Sequence, residues 1–427
     1  MFITFSYALI YQYMFNHYIL NKKIIFTFLF ITLFIGFFLN ENSSGGAIPD
    51  FLMRLEIINS FNNDFFVTFL NYDEYPDRHS PLILIFITVL LKSGFDLNSI
   101  RFLHLFVVPL IIIVTHKCLL SKYGKKNSNI FFLISTTIFF LSPIIRSISI
   151  WPDSRLIGLL FFLLSLFFFL EFNKKLKFKY AVYNTLFLIL ASYISPNFSM
   201  FFLYFFYVFF KHYSFSNEIF KLFFLNLFLS LPMIFYLFIL DVNFLKITAV
   251  PNISTIDRIN PANKILIISS LILFYSFPLF LSRSIVTVCK NSLYINRLII
   301  FSLFFFVLAS FFNYSINYTG GGIFFKFSYL LFESDYLFLL ISFISFLYIA
   351  FFFKVNFNNL LLFIILILSN PQLTIYHKYY DPLLIILFLT LCEYNFNIKK
   401  ILNKNIVYSL YLFYSIFLLI NLFRFAF

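Results

Sequence analysis

A chain of 427 residues that is 62% hydrophobic, with 73 Phe and only 9 Gly, is too apolar to build a water-soluble fold with a polar shell. A formal charge of +14 would point to nucleic acid on a soluble domain, but here the Lys and Arg fall mainly between apolar runs, where they set orientation. Composition therefore excludes a nucleic-acid partner and a large soluble domain, and leaves an all-α polytopic membrane protein. Cys118, Cys289 and Cys392 show no pairing pattern, so no disulfide framework is expected.

In chain order, residues 1–23 read as a cytoplasmic or interfacial segment, because they have neither a basic n-region nor a small-residue cleavage site. Apolar runs that could cross a membrane follow at about 24–39, 102–119, 128–142, 156–172, 180–194, 198–210, 219–240, 263–282, 298–312, 332–353, 357–369, 382–394 and 405–423. Each crossing takes roughly 20 apolar residues, so about 13 transmembrane helices are expected, several of them short.

Residues 40–101 form one long loop that carries eight of the seventeen carboxylates. Within it "FLMRLEIINSFNNDFFVTFL" has apolar residues at helical spacing, the pattern of a helix lying at an interface. Two juxtamembrane helices are expected, at about 50–60 and 81–92. The charged turn "NYDEYPDRHSPL" between them holds Asp73, Glu74, Asp77, Arg78 and His79. If the run 81–91 spanned, the basic loops "SKYGKKN", "NKKLKFK" and "NFNIKKILNKN" would all land outside. If it lies along the surface, 19 of 31 cationic residues lie inside, so the orientation rule selects a surface helix. Fourteen of the seventeen carboxylates then share the outer face, Glu171, Glu218 and Glu393 being the exceptions.

The next outer loop, "SPIIRSISIWPDSR", sets Asp153 between Arg146 and Arg155 beside the one Trp of the chain, Trp151. A carboxylate next to two guanidinium groups suits phosphate recognition beside an acid or base. An interfacial Trp with a local ion pair is the alternative. "NYTGGGIF" at 317–324 is expected to be a flexible loop. "SNPQLTIYHKYYDPL" brings His377, Lys378, Tyr380 and Asp381 to the outer surface, as an aromatic belt or as phosphate ligands.

These motifs together resemble the membrane glycosyltransferases of the GT-C fold, among them protein O-mannosyltransferases, the lipid A aminoarabinose transferase and oligosaccharyltransferases. The likeness covers about residues 24–210 and rests on Asp50 in "GGAIPDFLMR", "RHSPLILIF", "SGFDLNSIRFLHLF" and "SPIIRSISIWPDSRL". Asp50 is followed by Phe51 where many relatives have a second acid. His79-Ser80-Pro81 has one Pro rather than two, which leaves Asp50 and the Asp73-Glu74 pair as rival acids. The resemblance implies a GT-C-like catalytic module at 24–210 and a variable transmembrane module at 211–427. It also implies a bacterial plasma (inner) membrane protein that moves a sugar from a polyprenyl-phosphate donor to a glycan, lipid or protein acceptor on the extracytoplasmic side. In that scheme Asp50 is the base and Asp153 a second acid or metal partner. Arg146, Arg155, His79, Arg78, Lys378, His377 and Tyr380 face the phosphate. A divalent metal stays open, and so do a transporter or flippase and an O-antigen-type polymerase.

Overall fold

A computed structural model of the protein describes residues 21–239 apart from Pro76 and Arg78, then 260–280, 295–370 apart from Thr319, and 374–426. The phosphate-side candidate Arg78, and the interfacial reading of the first twenty residues, lie outside the described residues. Among those described, no strand forms, and one bridge pairs Phe353 with Tyr394. The helices are α1 (Lys22–Phe38), α2 (Ala47–Asn63), α3 (Phe65–Leu70), α4 (Leu82–Lys92), α5 (Leu97–Leu105), α6 (Val107–Tyr123) and α7 (Ser128–Leu141). They continue as α8 (Pro143–Ile150), α9 (Ser154–Lys175), α10 (Phe178–Ile194), α11 (Phe201–Tyr213), α12 (Asn217–Phe238) and α13 (Pro261–Phe280). The last are α14 (Ile295–Ser310), α15 (Gly322–Phe332), α16 (Tyr336–Phe352), α17 (Phe357–Leu368), α18 (Leu383–Thr390) and α19 (Lys404–Ala426).

The bundle has the inside-out logic of a membrane protein. On α1, Leu29 and Leu33 are buried, yet the opposite stripe is Ile24, Phe28, Ile31, Ile35 and Phe38, each more than half exposed. Water would not tolerate such a stripe, whereas lipid does. Among the described residues, five helical stretches are long and apolar enough to cross a bilayer: Leu97–Tyr123, Ser154–Lys175, Asn217–Phe235, Pro261–Leu279 and Lys404–Phe423. A sixth arises if α7 and α8, bent by 66°, are one span. The rest of the expected 13 fall on shorter apolar helices such as α10 and α16, 17 residues each. With no hydrophobic drive between helices in lipid, polar contacts hold them: Asn184 donates to the Ser165 carbonyl at 2.9 Å and Ser165 Oγ to the Asn184 carbonyl at 3.0 Å, joining α9 to α10.

The long loop folds as α2 and α4 packed around a separate small core of Ile57, Ile58, Phe61, Tyr72, Leu84, Ile87 and Ile100. α4 has 11 residues, about 16 Å at 1.5 Å per residue, too short for a hydrocarbon core of about 30 Å.

Three expectations need correction. The segment 142–155 is not an open loop, because 143–150 forms a fully buried helix, α8. Ser142 caps it by accepting from the Ile145 N–H, and Pro143 sits at its first position, where the missing N–H is no loss. Arg146, Ser147 and Ser149 broke the apolar pattern but are satisfied internally. Ser147 Oγ, for one, accepts from the Ser44 N–H at 2.7 Å. The run 382–394 contains only an eight-residue buried helix, α18, about 12 Å long. Its terminal carbonyls at Thr390 and Leu389 accept from Lys122 Nζ and the Tyr123 hydroxyl at 2.5 and 2.7 Å. A helix can end inside a bundle when protein supplies the missing partners. The triple glycine is conformational rather than flexible: Gly320, Gly321 and Gly322 have φ of 95°, 84° and 78°, and a helix, α15, starts there. A Cβ on Gly320 would lie 2.5 Å from the Ile375 carbonyl oxygen, so only glycine lets this loop meet the 374–382 segment.

Candidate functional site

Asp50 and Arg54 are four residues apart on α2 and so share one helical face. Arg54 Nε donates to Asp77 Oδ2 at 3.1 Å and Nη1 to Asp153 Oδ2 at 2.6 Å. Arg155, in the first turn of α9, grips the same Asp153 in a two-pronged pair, Nε to Oδ1 at 2.8 Å and Nη2 to Oδ2 at 2.6 Å. Nη2 also reaches Asp50 Oδ2 at 3.2 Å, and Lys378 Nζ donates to that same oxygen at 2.9 Å. Acid and base thus alternate as Asp77, Arg54, Asp153, Arg155, Asp50, Lys378, drawn from α2, the charged turn, the start of α9 and the 374–382 segment.

Burial grades along this chain. The side chains of Arg54, Asp77, Asp153 and Arg155 are 8% exposed or less, whereas Asp50 is 29% and Lys378 24% exposed. The open end is Asp50 with Lys378. Burial alone would raise the Asp153 carboxyl, but Arg155 and Arg54 outweigh it and hold Asp153 well below the usual carboxylate range. Asp77 is likewise pushed up by burial and down further by Arg54, ending low. Burial, then the Arg155 charge, lower the Lys378 ammonium, against the pull of Asp50.

The other expected site residues scatter. Arg146 does not face Asp153. Its guanidinium is spent on Glu41, Thr32 and the Phe140 carbonyl, with Nε to Glu41 Oε1 at 2.8 Å. His79 lies beside Asp77, to which its backbone N–H donates at 3.0 Å, and burial depresses its imidazole. His377 is packed against Phe274 and hydrogen-bonded with Tyr275, and burial pushes it down to about 4, so it is neutral rather than a phosphate cation. Tyr380 is 2% exposed and directs its hydroxyl to the Leu366 carbonyl. Asp73 and Glu74 sit exposed on a one-turn helix, and no ion pair reaches them among the described residues. The Trp151 ring carries the Arg101 guanidinium at 3.8 Å and its Nε1 donates to the Glu41 carbonyl at 3.0 Å.

Arg54 and Asp77 are the members that sequence reading passed over. The i, i+4 spacing of Asp50 and Arg54 on a predicted surface helix was the signal that pointed to the first. Behind Arg54, a pocket lined by Phe51, Ile58, Asp77, His79, Ile83 and Ser154 has room for about one water molecule. Among the described residues, no three His, Cys, Asp or Glu side chains converge on a point where a metal ion could sit. The Asp153 oxygens face guanidinium N–H groups instead. The chemistry available at the open end is that of a partly exposed carboxylate beside two cations, a base next to anion-binding groups. No family model, curated protein or solved structure matches the chain.

Proposed function

We propose that the protein is a membrane glycosyltransferase that moves a sugar from a polyprenyl-phosphate donor to an acceptor hydroxyl at the extracytoplasmic face. One observation carries the reading: of the three carboxylates in the buried chain, Asp50 alone is partly open, and Lys378 and Arg155 flank it. The donor's isoprenoid tail lies among Phe-rich helices with its phosphate at headgroup depth. Asp50 takes the proton of the acceptor hydroxyl as its oxygen attacks the anomeric carbon. The bond from that carbon to the phosphate oxygen breaks, and the leaving phosphate gains its negative charge beside Lys378 and Arg155. Asp153 holds Arg155 and Arg54 in place, and so acts as a positioning residue rather than as a second acid.

The test is transfer from a synthetic polyprenyl-phosphate sugar in liposomes. Asp50→Asn lowers the rate by about 10² to 10⁴ with insertion and yield unchanged. Full activity in that variant removes Asp50 as the base.

A further inference from the structure

α9 runs 22 residues from the ion chain, about 33 Å at 1.5 Å per residue, to a turn at the far end of the bundle. That turn carries Lys174, Lys175, Lys177 and Lys179, all exposed. The turn between α11 and α12 packs beside it. Phe172 meets the His212 ring at 5.5 Å and Tyr213 at 5.8 Å, and Phe178 meets Tyr213 at 6.1 Å. Lys211 and Lys221, also exposed, thereby join the same patch. Its acids are Glu171, engaged by Lys175 and by Ser121 Oγ at 2.7 Å, and Glu218 in the first turn of α12. Six lysines against two carboxylates leave a surplus of positive charge.

Two further observations separate this patch from charge that merely orients the chain. The Tyr213 hydroxyl, between the two turns, is buried and has no hydrogen-bond partner among the described residues, which is costly unless a ligand accepts from it. Leu176, at φ 54°, and Phe215 project beside the lysines, 53% and 80% exposed. Apolar tips next to ammonium groups at the end of an apolar bundle match the boundary where acyl chains meet headgroup phosphates.

We infer that the turns 174–179 and 211–217 form a binding site for an anionic phospholipid headgroup on the membrane face opposite Asp50. The lysines meet the phosphate, Tyr213 donates to a headgroup oxygen, and Leu176 and Phe215 lie against the acyl chains.

Delipidated protein in detergent, titrated with phosphatidylglycerol or phosphatidylcholine and read by native mass spectrometry, tests this. Each lysine near an anionic surface is worth roughly fivefold in binding. Replacing Lys174, Lys175, Lys177 and Lys179 together by Gln therefore weakens phosphatidylglycerol binding by at least about a hundredfold, whereas replacing all four by Arg retains it, which separates charge from misfolding. Tyr213→Phe weakens it several-fold, and Lys399→Gln with Lys400→Gln leaves it unchanged. Four results would each overturn the inference: equal binding of phosphatidylcholine, equal loss in the Lys399 and Lys400 pair, wild-type binding by Tyr213→Phe, or displacement of the lipid by millimolar inorganic phosphate.

Discussion

Arg54→Met is the sharpest perturbation of the ion chain, because Met keeps most of the apolar stem and removes the guanidinium with its charge and its N–H donors. Arg54 is 8% exposed and its partners Asp77 and Asp153 3% and 4%. Asp153 would keep its Arg155 contacts, two from the guanidinium and one from the backbone N–H, while among the described residues Asp77 would keep the His79 N–H. Stranding one member of a buried pair costs about 3–5 kcal/mol, and the second clamp on Asp153 places the expected loss near the lower figure. Denaturation in detergent micelles measures it. The pH dependence adds a test of sign. In the wild type, Asp77 and Asp153 titrate below their unfolded values. Their contribution is therefore complete above an unfolded pKa of about 3.9 and is lost as pH falls through the lower folded values. In Arg54→Met, burial acts on Asp77 without that cation and raises it, so acidification relieves the penalty and the gap to wild type narrows from neutral pH toward about pH 4. Adding Asp77→Asn should recover about 1–3 kcal/mol. A loss under about 1 kcal/mol, with no recovery in the double variant, would refute the account.

Gly320→Ala sets a Cβ against the Ile375 carbonyl at a φ of 95°; strain of about 1–3 kcal/mol is expected, with Lys378 becoming more reactive toward an impermeant amine reagent as its segment shifts. Burial raises Asp381, in the connection between α17 and α18, to about 7, against donation from Ser142 and Tyr414. The native state then holds a proton that the unfolded chain releases, so stability falls as pH rises from about 4 to about 7 and levels off above. Asp381→Asn should abolish that decline, and parallel melting curves for the two proteins would exclude it. A cysteine at the exposed position 92, Lys92→Cys, should react with a reagent confined to the outer face of intact cells; labelling only from the cytoplasm would place α4 on the other side.

Much of the architecture was legible because in lipid the backbone must be satisfied within each segment, so long apolar runs read directly as helices. α9, α12, α13 and α19 appear within a few residues of the expected runs, and the two helices of the first loop, at 47–63 and 82–92, form where helices were expected. α8 and α18 were misread for a common reason. A segment buried in protein on every side can contain arginine and serine, or stop after eight residues, because neighbours complete its hydrogen bonds. Nothing in local periodicity announces such neighbours.

The amino-acid sequence by itself determined the solvent of this protein, the helical class, the short helix over 82–92 and the concentration of acids in the first loop, since each follows from composition or from spacing along one segment. Only the tertiary structure decided which charges meet. Asp50 and Lys378 are 328 residues apart and share a contact of 2.9 Å, while Arg146, nearer to Asp153 in sequence than Arg54 is, turns to Glu41. Ion pairing depends on three-dimensional distance and on which partners burial leaves available, and neither is encoded in the identity of any single residue.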